Sequence, residues 1–329
     1  MIVTQTPLRI SFGGGGTDLA AYYAAREGFV VSTAIDKFAY VIVKERFDDE
    51  IYLNYMRKEI VSEVDSVEHE LIREAMRMTG VDRGVEVTLL SDIPSEGSGL
   101  GSSSSFTVGL LNAFYAYRGE LVTAERLARE ACEIEIERLG NPIGKQDQYI
   151  AAYGGVRSFR FCRDEQVEVE RIEMTGDAVR DLGSRLYLFF TGKTRKANVI
   201  LSEQQKSTTD RAAELDGIKE LAFELAPSLR DGSLDAVGDV LHRGWELKRK
   251  LASGISNPDI EAMYQLAREG GALGGKICGA GGGGFLLAYC KPDKQEQLAA
   301  AMSGYRQLPF QLERDGSKVI FNYRRETGR

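Results

Sequence analysis

Residues 94–105, PSEGSGLGSSSS, decide how the rest of this sequence is interpreted. Glycines alternate from Gly97 to Gly101, four serines follow, and apolar residues then recur at helical spacing. The segment before them, GVEVTLL at 84–90, alternates like a half-buried strand. A strand, a glycine turn and a helix in this order favour a phosphate site, because free amides and the helix dipole attract anions to a helix N-terminus. A flexible turn with a serine cap is the simpler alternative.

Two common nucleotide-binding loops do not match the sequence. No lysine follows the last glycine of the stretch, so it is not a Walker A loop. GAGGGG at 279–284 fits the dinucleotide pattern G-x-G-x-x-G, but the strand-like FLLAYC follows it where a helix is required. A dehydrogenase is therefore a poor interpretation.

The composition excludes several classes of function. The chain has 329 residues and a net charge of 42 − 49 = −7, with no basic cluster, so we expect neither a nucleic-acid partner nor a membrane partner. The N-terminus, MIVTQTPLRISF, lacks the features of a signal peptide. Four cysteines without metal-ligand spacing are typical of free thiols in a reducing compartment, and we expect a cytoplasmic protein. With only two histidines, His69 and His242, chemistry based on histidine is poorly supported.

Periodicity predicts two α+β halves, residues 1–180 and 181–329. The expected strands are residues 2–12, 30–44 and 84–90, with RLYLFFTG and FLLAYC in the second half. The expected helices are residues 67–79, 123–138, 196–225, 233–252 and 292–303. Two more are expected after the glycine–serine turn, where apolar residues recur from Phe106 to Tyr117 and the helix ends near Gly119, and after a cap at Ser256 or Asn257, where the helix ends before Gly270. Near the end of the chain, Asp315-Gly316 predicts a hairpin turn.

Three glycine-rich segments occur at the start, middle and end of the chain. RISFGGGGTD (9–18) and GKICGAGGGG (275–284) flank the central stretch. In type and order the three motifs resemble those of the GHMP kinase superfamily, and the resemblance covers essentially the whole chain. TPLRISFGGGGTD, SGLGSSSSFTVGLLNAFYA and GKQDQYIAAYGG look most like the D-glycero-D-manno-heptose 7-phosphate kinases.

The resemblance implies a fold and a reaction. The fold is α+β, with an N-terminal ribosomal-protein-like βα domain that has a left-handed crossover and a C-terminal ferredoxin-like domain. The reaction is phosphorylation of the anomeric hydroxyl of a heptose 7-phosphate to the 1,7-bisphosphate, with ATP and Mg²⁺. The partner is a small sugar phosphate, and the resemblance gives no oligomeric state.

The resemblance also implies the nucleotide and metal ligands. Ser103 matches the hydroxyl ligand of Mg²⁺, with Ser102 as the alternative because four serines leave the register open by one. Glu135 matches the second ligand, with Glu133 and Glu137 nearby as carboxylates that could simply be solvated. The residues expected to contact ATP are Pro94, Gly97, Ser98, Gly99, Leu100, Gly101, Ser102, Ser103 and Ser104.

Asp147 matches the catalytic aspartate of the superfamily, and Arg9 matches the arginine beside it. A carboxylate against a sugar hydroxyl can accept its proton, and a cation beside it keeps the carboxylate ionised. Some members of the superfamily have no true base and rely on positioning. An Arg–Asp pair that only joins two motifs is the structural alternative, and it is compatible with catalysis.

The substrate residues are implied by the first and third motifs and by the segment TGKTRKAN (191–198). Asp18 matches the residue that binds sugar hydroxyls, although it could instead cap the helix that follows. Lys193 and Arg195 are candidates for the substrate phosphate, or could be solvated. The residues expected on the substrate side are Gly15, Gly16, Thr17, Asp18, Lys193, Arg195, Gly281 and Gly282.

Two alternatives to a heptose kinase remain open from the sequence. One is a GHMP-type 1-kinase for fucose, a hexose or a uronic acid, because no motif fixes the pocket residues. The other is a regulator that binds sugar and ATP without turnover. Such regulators tend to lose part of the catalytic set, whereas this chain keeps Arg9, Asp18, Ser103, Glu135 and Asp147.

Overall fold

The structure, a computed structural model, describes residues 1–93, 97–194 and 197–323. The first half both begins and ends with strands, and helices lie between them. Its first elements are β1 (Ile2–Gly13), α1 (Ala20–Arg26), β2 (Gly28–Glu45), β3 (Ile51–Asn54), β4 (Lys58–Val61), α2 (Glu70–Thr79) and β5 (Val85–Ser91). They are followed by α3 (Ser102–Arg118), α4 (Ala124–Cys132), α5 (Gln146–Tyr153), β6 (Val156–Phe161) and β7 (Val167–Arg171).

The long strand β2 organises the first sheet. One edge of β2 pairs antiparallel with β1 along almost its whole length. The other edge pairs first with β6 and then with β5, and β3 lies parallel to β5. Burial alternates over residues 2–6 of β1 and 39–43 of β2, whereas residues 6–10 and 28–35 are buried on both faces of the sheet.

Helix α3 is the central helix of the first half. It packs on β1 and β2 and also contacts α2, α4 and α5, so most of its residues are buried. Gly101 and Gly119 flank the helix in the left-handed conformation, at φ 81° and 91°. The first turn of α3, which carries the serine run, is therefore fixed against the sheet.

The helix predicted over 123–138 differs in its last part. The α-helical part is α4, capped by Thr123, and residues Glu133–Arg138 continue as a π-helix in which the amide of Leu139 donates to Ile134 O at 3.0 Å. π-Helices are rare and are often found at functional sites. Here the wider turn contains Glu135, which is fully buried.

The second half contains β8 (Leu186–Phe190), β9 (Ala272–Ile277), β10 (Phe285–Cys290) and β11 (Gln307–Leu308). Its helices are α6 (Gly176–Ser184), α7 (Ala197–Ser207), α8 (Ala212–Arg230), α9 (Asp235–Lys248), α10 (Pro258–Glu269) and α11 (Gln295–Ala301). The sheet order is β11-β8-β10-β9, with antiparallel neighbours. Helices between β8 and β9 and between β10 and β11 make this the βαββαβ arrangement of ferredoxin-like domains, as predicted.

Helices α8 and α9 join the two halves. Both pack on β1, and α9 also packs on β9 and β10 of the second sheet. Leu221, Ala222, Val237 and Val240 of these helices are buried in one apolar cluster with strand residues of both sheets. The loop after β1 and the end of β9 therefore face a common cleft.

The chain ends with two strands that return to the first sheet. β12 (Leu312–Glu313) pairs with β2, and β13 (Lys318–Asn322) pairs with β1. The hairpin predicted at Asp315-Gly316 is wrong, because the two strands pair with different partners instead of with each other. A Cβ on Gly316 would lie 2.0 Å from Ala152 O, so this segment passes against the end of α5. The boundary near residue 180 stays a prediction.

Among the helices that the structure describes, none combines the length and apolar character that a membrane span requires.

Candidate active site

The loop Gly97–Gly101 lies against the glycine-rich segment of the second half. Gly97, Gly99 and Gly101 have φ values of 70°, 73° and 81°, which favour glycine. A Cβ on Gly99 would lie 2.5 Å from Cys278 O, and one on Gly279 would lie 2.7 Å from Gly99 Cα. The glycines therefore allow two backbones to meet at van der Waals distance, and Leu100 between them is fully buried.

The serines of the run have different surroundings, which separates their roles. Ser102 Oγ lies 3.2 Å from Ser98 Oγ, within the loop. Ser103 Oγ donates to Glu135 Oε2 at 2.8 Å. Ser105 Oγ donates to Pro7 O at 2.8 Å and so attaches the helix to β1. Ser104 is buried and lines the same cavity as Ser102 and Ser103.

Glu135 is a fully buried carboxylate. It accepts hydrogen bonds from Ser103 and, at 3.0 Å, from Gln148 Nε2, but no cation pairs with it among the described residues. Burial raises the pKa of Glu135 to about 7, since the hydrogen bonds compensate only part of the desolvation. A bound cation would remove this penalty.

Arg9 and Asp147 form an ion pair in the middle of the site. Arg9 Nε donates to Asp147 Oδ1 at 2.8 Å, and Nη2 donates to Oδ2 at 2.6 Å. Arg9 Nη1 donates to Gly99 O at 2.6 Å, so one guanidinium contacts both the glycine loop and α5. Arg9 is buried and Asp147 is half-buried on the cavity wall. Arg9 thus fixes the orientation of the carboxylate on the cavity wall.

Asp18 is buried beneath the loop that precedes α5. Its Oδ1 accepts from Gly16 N at 2.9 Å and from Gln146 Nε2 at 3.1 Å, and its Oδ2 accepts from Gln146 N at 3.2 Å. Burial and the charge of Asp147 raise its pKa. The alternative role as a helix cap is wrong, because α1 begins after Leu19 without a side-chain cap.

The neighbours of Asp18 in the first motif differ in exposure. Gly15 and Gly16 line the cavity, and a Cβ on Gly15 would lie 3.6 Å from Gln146 Nε2. Thr17 is buried behind them, where its hydroxyl donates to Gly14 O at 2.7 Å and accepts from Phe29 N at 3.1 Å. The glycines thus face the cleft, while Thr17 supports their turn.

One cavity of about 320 Å³ connects these groups. At one end are the glycine–serine loop and Glu135, and on its other walls are the loop after β1, the loop before α5, and α7, α8 and α9. Ser11 Oγ and Gln146 Oε1 are buried there without a hydrogen-bond partner among the described residues. Free hydroxyl and amide groups beside Asp147 and Asp18 suit a polyhydroxylated ligand.

Four residues predicted for the substrate side, and Pro94 from the predicted ATP-binding set, lie elsewhere or outside the described residues. Lys193 and Gly282 line a separate depression of about 40 Å³, where Lys193 pairs with Asp259 and is 63% exposed. Gly281 packs against Ile255, because a Cβ added to Gly281 would lie 2.8 Å from the carbonyl oxygen of Ile255. Pro94 and Arg195 lie outside the described residues, and their roles stay predictions.

Sequence reasoning missed several polar residues of the cavity, among them Ser11, Gln146, Lys248 and Lys276. Ser11 and Gln146 adjoin Arg9 and Asp147 in the motifs but carry no distinctive spacing. Lys276 had a signal, since a lysine inside GGKICG interrupts an otherwise small and apolar strand. Lys248 lies at the end of a charged helix, and nothing in the sequence distinguishes it from the other lysines there.

Two family models match the chain over both of its halves. Residues 66–155 match the GHMP kinases N terminal domain, and residues 225–306 match the GHMP kinases C terminal domain. A curated relative, the D-glycero-alpha-D-manno-heptose 7-phosphate kinase of Campylobacter jejuni, is 31% identical over 96% of this chain and 98% of its own length.

The chain belongs to the GHMP kinases.

Solved GHMP kinase structures agree with this fold. A structure described as a D-glycero-D-manno-heptose 1-phosphate kinase from Bacteroides thetaiotaomicron has a TM-score of 0.83 at 26% identity, covering 98% of this chain and all of that one. A putative sugar kinase of Campylobacter jejuni has a TM-score of 0.78 at 27% identity, over 97% of each chain. The predicted α+β GHMP kinase fold is confirmed, and this GHMP kinase is a phosphotransferase of the sugar-kinase type.

Proposed function

We propose that this GHMP kinase transfers the γ-phosphoryl group of Mg²⁺-ATP to the anomeric hydroxyl of D-glycero-D-manno-heptose 7-phosphate, giving the 1,7-bisphosphate. The observation that carries the proposal is the position of Asp147. Its carboxylate is held by Arg9 on the wall of one cavity, between the glycine–serine loop and the polar groups around Asp18.

On this proposal, Asp147 acts on the acceptor. An ionised carboxylate on the cavity wall can accept the proton of a sugar hydroxyl as that oxygen attacks phosphorus. Arg9 holds both carboxylate oxygens, which fixes the orientation of Asp147 and supplies positive charge near the transferred group. Asp18, Ser11 and Gln146 offer acceptors and donors for the remaining hydroxyls.

The nucleotide side of the cavity fits polyphosphate. Amides of the Gly97–Gly101 loop and the start of α3 supply donors without side chains in the way. The oxygen pair of Ser103 and Glu135 fits Mg²⁺, which binds few protein carboxylates and completes its shell with phosphate and water. The described residues contain no cluster of three or more metal-ligating side chains, which suits Mg²⁺ better than a resident metal. When bound, Mg²⁺ neutralises charge on the phosphates.

The choice of a heptose phosphate as the acceptor rests on two heptose kinases to which the chain is similar. Both printed names contain a phosphorylated D-glycero-D-manno-heptose, but one gives the 7-phosphate and the other the 1-phosphate. We choose the 7-phosphate because the Campylobacter jejuni relative that carries this name matches nearly the whole chain at the higher identity.

The test measures ADP release with Mg²⁺-ATP and three acceptors: heptose 7-phosphate, heptose 1-phosphate and unphosphorylated heptose. We expect the fastest turnover with the 7-phosphate and a new anomeric resonance in the phosphorus NMR spectrum of the product. If the 1-phosphate instead gave a product with a new phosphate resonance at position 7, the enzyme would phosphorylate the 7-hydroxyl and not the anomeric hydroxyl. Binding of ATP and sugar without ADP release would instead support the regulator.

A further inference from the structure

Two lysines, Lys276 buried and Lys248 partly buried, line the cavity and are not used by the proposed reaction. Lys276 lies on β9 and is 8% exposed, and Lys248 lies at the end of α9. Both side chains reach the cavity wall. Since an ammonium group loses its hydration on burial, a buried lysine needs a compensating partner.

The two lysines differ in how far the protein satisfies them. Lys248 Nζ donates to the carbonyl oxygens of Ile277 at 2.9 Å and Gly279 at 2.5 Å, which leaves one donor. The Lys276 ammonium makes neither a hydrogen bond nor an ion pair within residues 1–93, 97–194 and 197–323. Burial, together with the charges of Lys276 and Arg9, lowers the pKa of Lys248 to about 7. Burial and the charge of Arg9 lower the pKa of Lys276 to about 8.

Lys276 lines the same cavity as Asp147 and Asp18 and interacts electrostatically with Asp18. The charge of Asp147 raises the pKa of both Glu135 and Asp18, so it lies near each of them. Arg9 and Asp18 act on the pKa of Lys276, whereas neither Glu135 nor Asp147 is among the groups that do. Lys276 therefore interacts with the proposed sugar-binding residue Asp18, and Lys248 is bonded to Gly279 O, where the backbone packs against Gly99 of the glycine loop.

We propose that Lys276, assisted by the free donor of Lys248, binds the phosphate group that the acceptor sugar already carries. This inference rests on the proposed function, in which the acceptor is a sugar phosphate. A dianionic phosphate supplies the acceptor oxygens that Lys276 lacks, and Lys276 supplies the charge that a phosphate requires when it leaves water. The lysines thus determine specificity for a phosphorylated acceptor.

Lys193 is the rival cation, and its position argues against it. Its ammonium is exposed, pairs with Asp259, and lies in the separate depression instead of the cavity that contains Asp147. An exposed ion pair contributes little, so Lys193 does not need a phosphate.

The experiment compares wild type with Lys276→Met, Lys276→Arg and Lys193→Met, using heptose 7-phosphate and unphosphorylated heptose. Lys250→Met is the matched control, because Lys250 lies two residues beyond Lys248 but is exposed. We expect Lys276→Met to raise KM for heptose 7-phosphate by about 10- to 100-fold with a small change in kcat. The preference for the phosphorylated acceptor should fall by the same factor, Lys276→Arg should restore part of it, and Lys250→Met should resemble wild type.

Thermal unfolding separates this role from a structural one. Methionine has the length of lysine without its buried charge, so Lys276→Met should unfold at the same or a higher temperature than wild type. An equal loss of kcat on both acceptors would overturn the proposal and assign Lys276 to the transferred phosphoryl group. A large KM effect in Lys193→Met alone would also overturn it.

Failure of the proposed function gives a different result. If wild type turns over neither acceptor, calorimetric titration with heptose 7-phosphate decides the lysine assignment by itself. Binding to wild type that is lost in Lys276→Met supports the phosphate site although the kinase proposal has failed. Equal binding to both proteins, or binding to neither, rejects the site.

Discussion

Arg9 and Asp147 are joined through both oxygens of the carboxylate, at 2.8 and 2.6 Å, although 138 residues separate them in the chain. The same guanidinium also donates to Gly99 O in the glycine loop. One side chain therefore sets the position of the candidate base relative to the loop that faces the nucleotide. A substitution that moves Arg9 would therefore change the position of Asp147 relative to the glycine loop.

Replacing Asp147 by asparagine should remove the base while keeping the size of the side chain. We expect kcat to fall by about 10²- to 10⁴-fold, because the amide cannot accept a proton, and the affinity for ATP to stay within a few-fold. Single-turnover kinetics and ATP titration measure the two quantities. Asp48→Asn, at an exposed aspartate paired with Arg46, is the control. Unchanged turnover in Asp147→Asn would remove the base assignment.

Replacing Ser103 by alanine should raise the Mg²⁺ concentration needed for half-maximal activity. Ser103 is bonded to Glu135, whereas Ser102 is bonded to Ser98, so Ser102→Ala should leave the Mg²⁺ requirement near that of wild type. A Mg²⁺ titration at saturating ATP distinguishes the two variants. The opposite result would shift the metal register by one residue.

Replacing Glu135 by glutamine should uncouple stability from metal binding. The buried carboxylate has a pKa near 7, so a neutral amide of the same shape should not lower the melting temperature measured without ligands. Mg²⁺-ATP should raise the melting temperature of wild type more than that of Glu135→Gln, because only wild type retains both proposed ligands. Equal shifts in the two proteins would remove Glu135 from the metal site.

Replacing Gly99 by alanine should separate a close approach of backbones from simple backbone strain. Gly140 has a similar φ of 65°, but an added Cβ would meet nothing within 4 Å. Gly140→Ala should therefore lower the free energy of unfolding by about 1–2 kcal/mol. At Gly99 the Cβ also overlaps the Cys278 carbonyl, so we expect a loss of roughly 3 kcal/mol or more. Urea denaturation of both variants tests the difference, and equal losses would contradict it.

The acceptor affinity should depend on pH above neutrality. The ammonium form of Lys276 binds the phosphate, and its pKa near 8 means that the free enzyme loses this charge as the pH rises through 8. Burial is the main cause of that value, Arg9 lowers it, and Cys278 and Asp18 raise it, while Lys276 in turn acts on the pKa of Lys248. We expect kcat/KM for heptose 7-phosphate to fall between pH 8 and pH 9.5, and a profile for Lys276→Met without this decrease. Parallel profiles would show that another group titrates.

The sequence predicted what local chemistry encodes. The strand pattern of β1 and β2, the Asn257 cap of α10 and the turn before α3 all depend on neighbouring residues, and all are observed. The proximity of Arg9, Asp18, Ser103, Glu135 and Asp147 is also observed, but its prediction came from the family motifs, because no local rule relates residues over a hundred positions apart.

The remaining features depend on long-range packing. A π-helix replaces the last part of the predicted α-helix, and within it Glu135 is buried and bonded to Ser103. Asp315-Gly316 favours a hairpin locally, but β12 and β13 pair with β2 and β1 of the first sheet and not with each other. Lys248 and Lys276 face one cavity only because α9 packs on β9, which periodicity cannot reveal.

The pairing of β13 with β1 has a consequence for synthesis on the ribosome. The second residue of the chain pairs with residue 322, so β1 leaves the exit tunnel long before its outer partner exists. Throughout that time β1 presents an unpaired edge, which other nascent chains or a chaperone can bind. The half of the enzyme that is made first is therefore completed last, and a chain released near residue 306 would keep its catalytic motifs but carry an open edge.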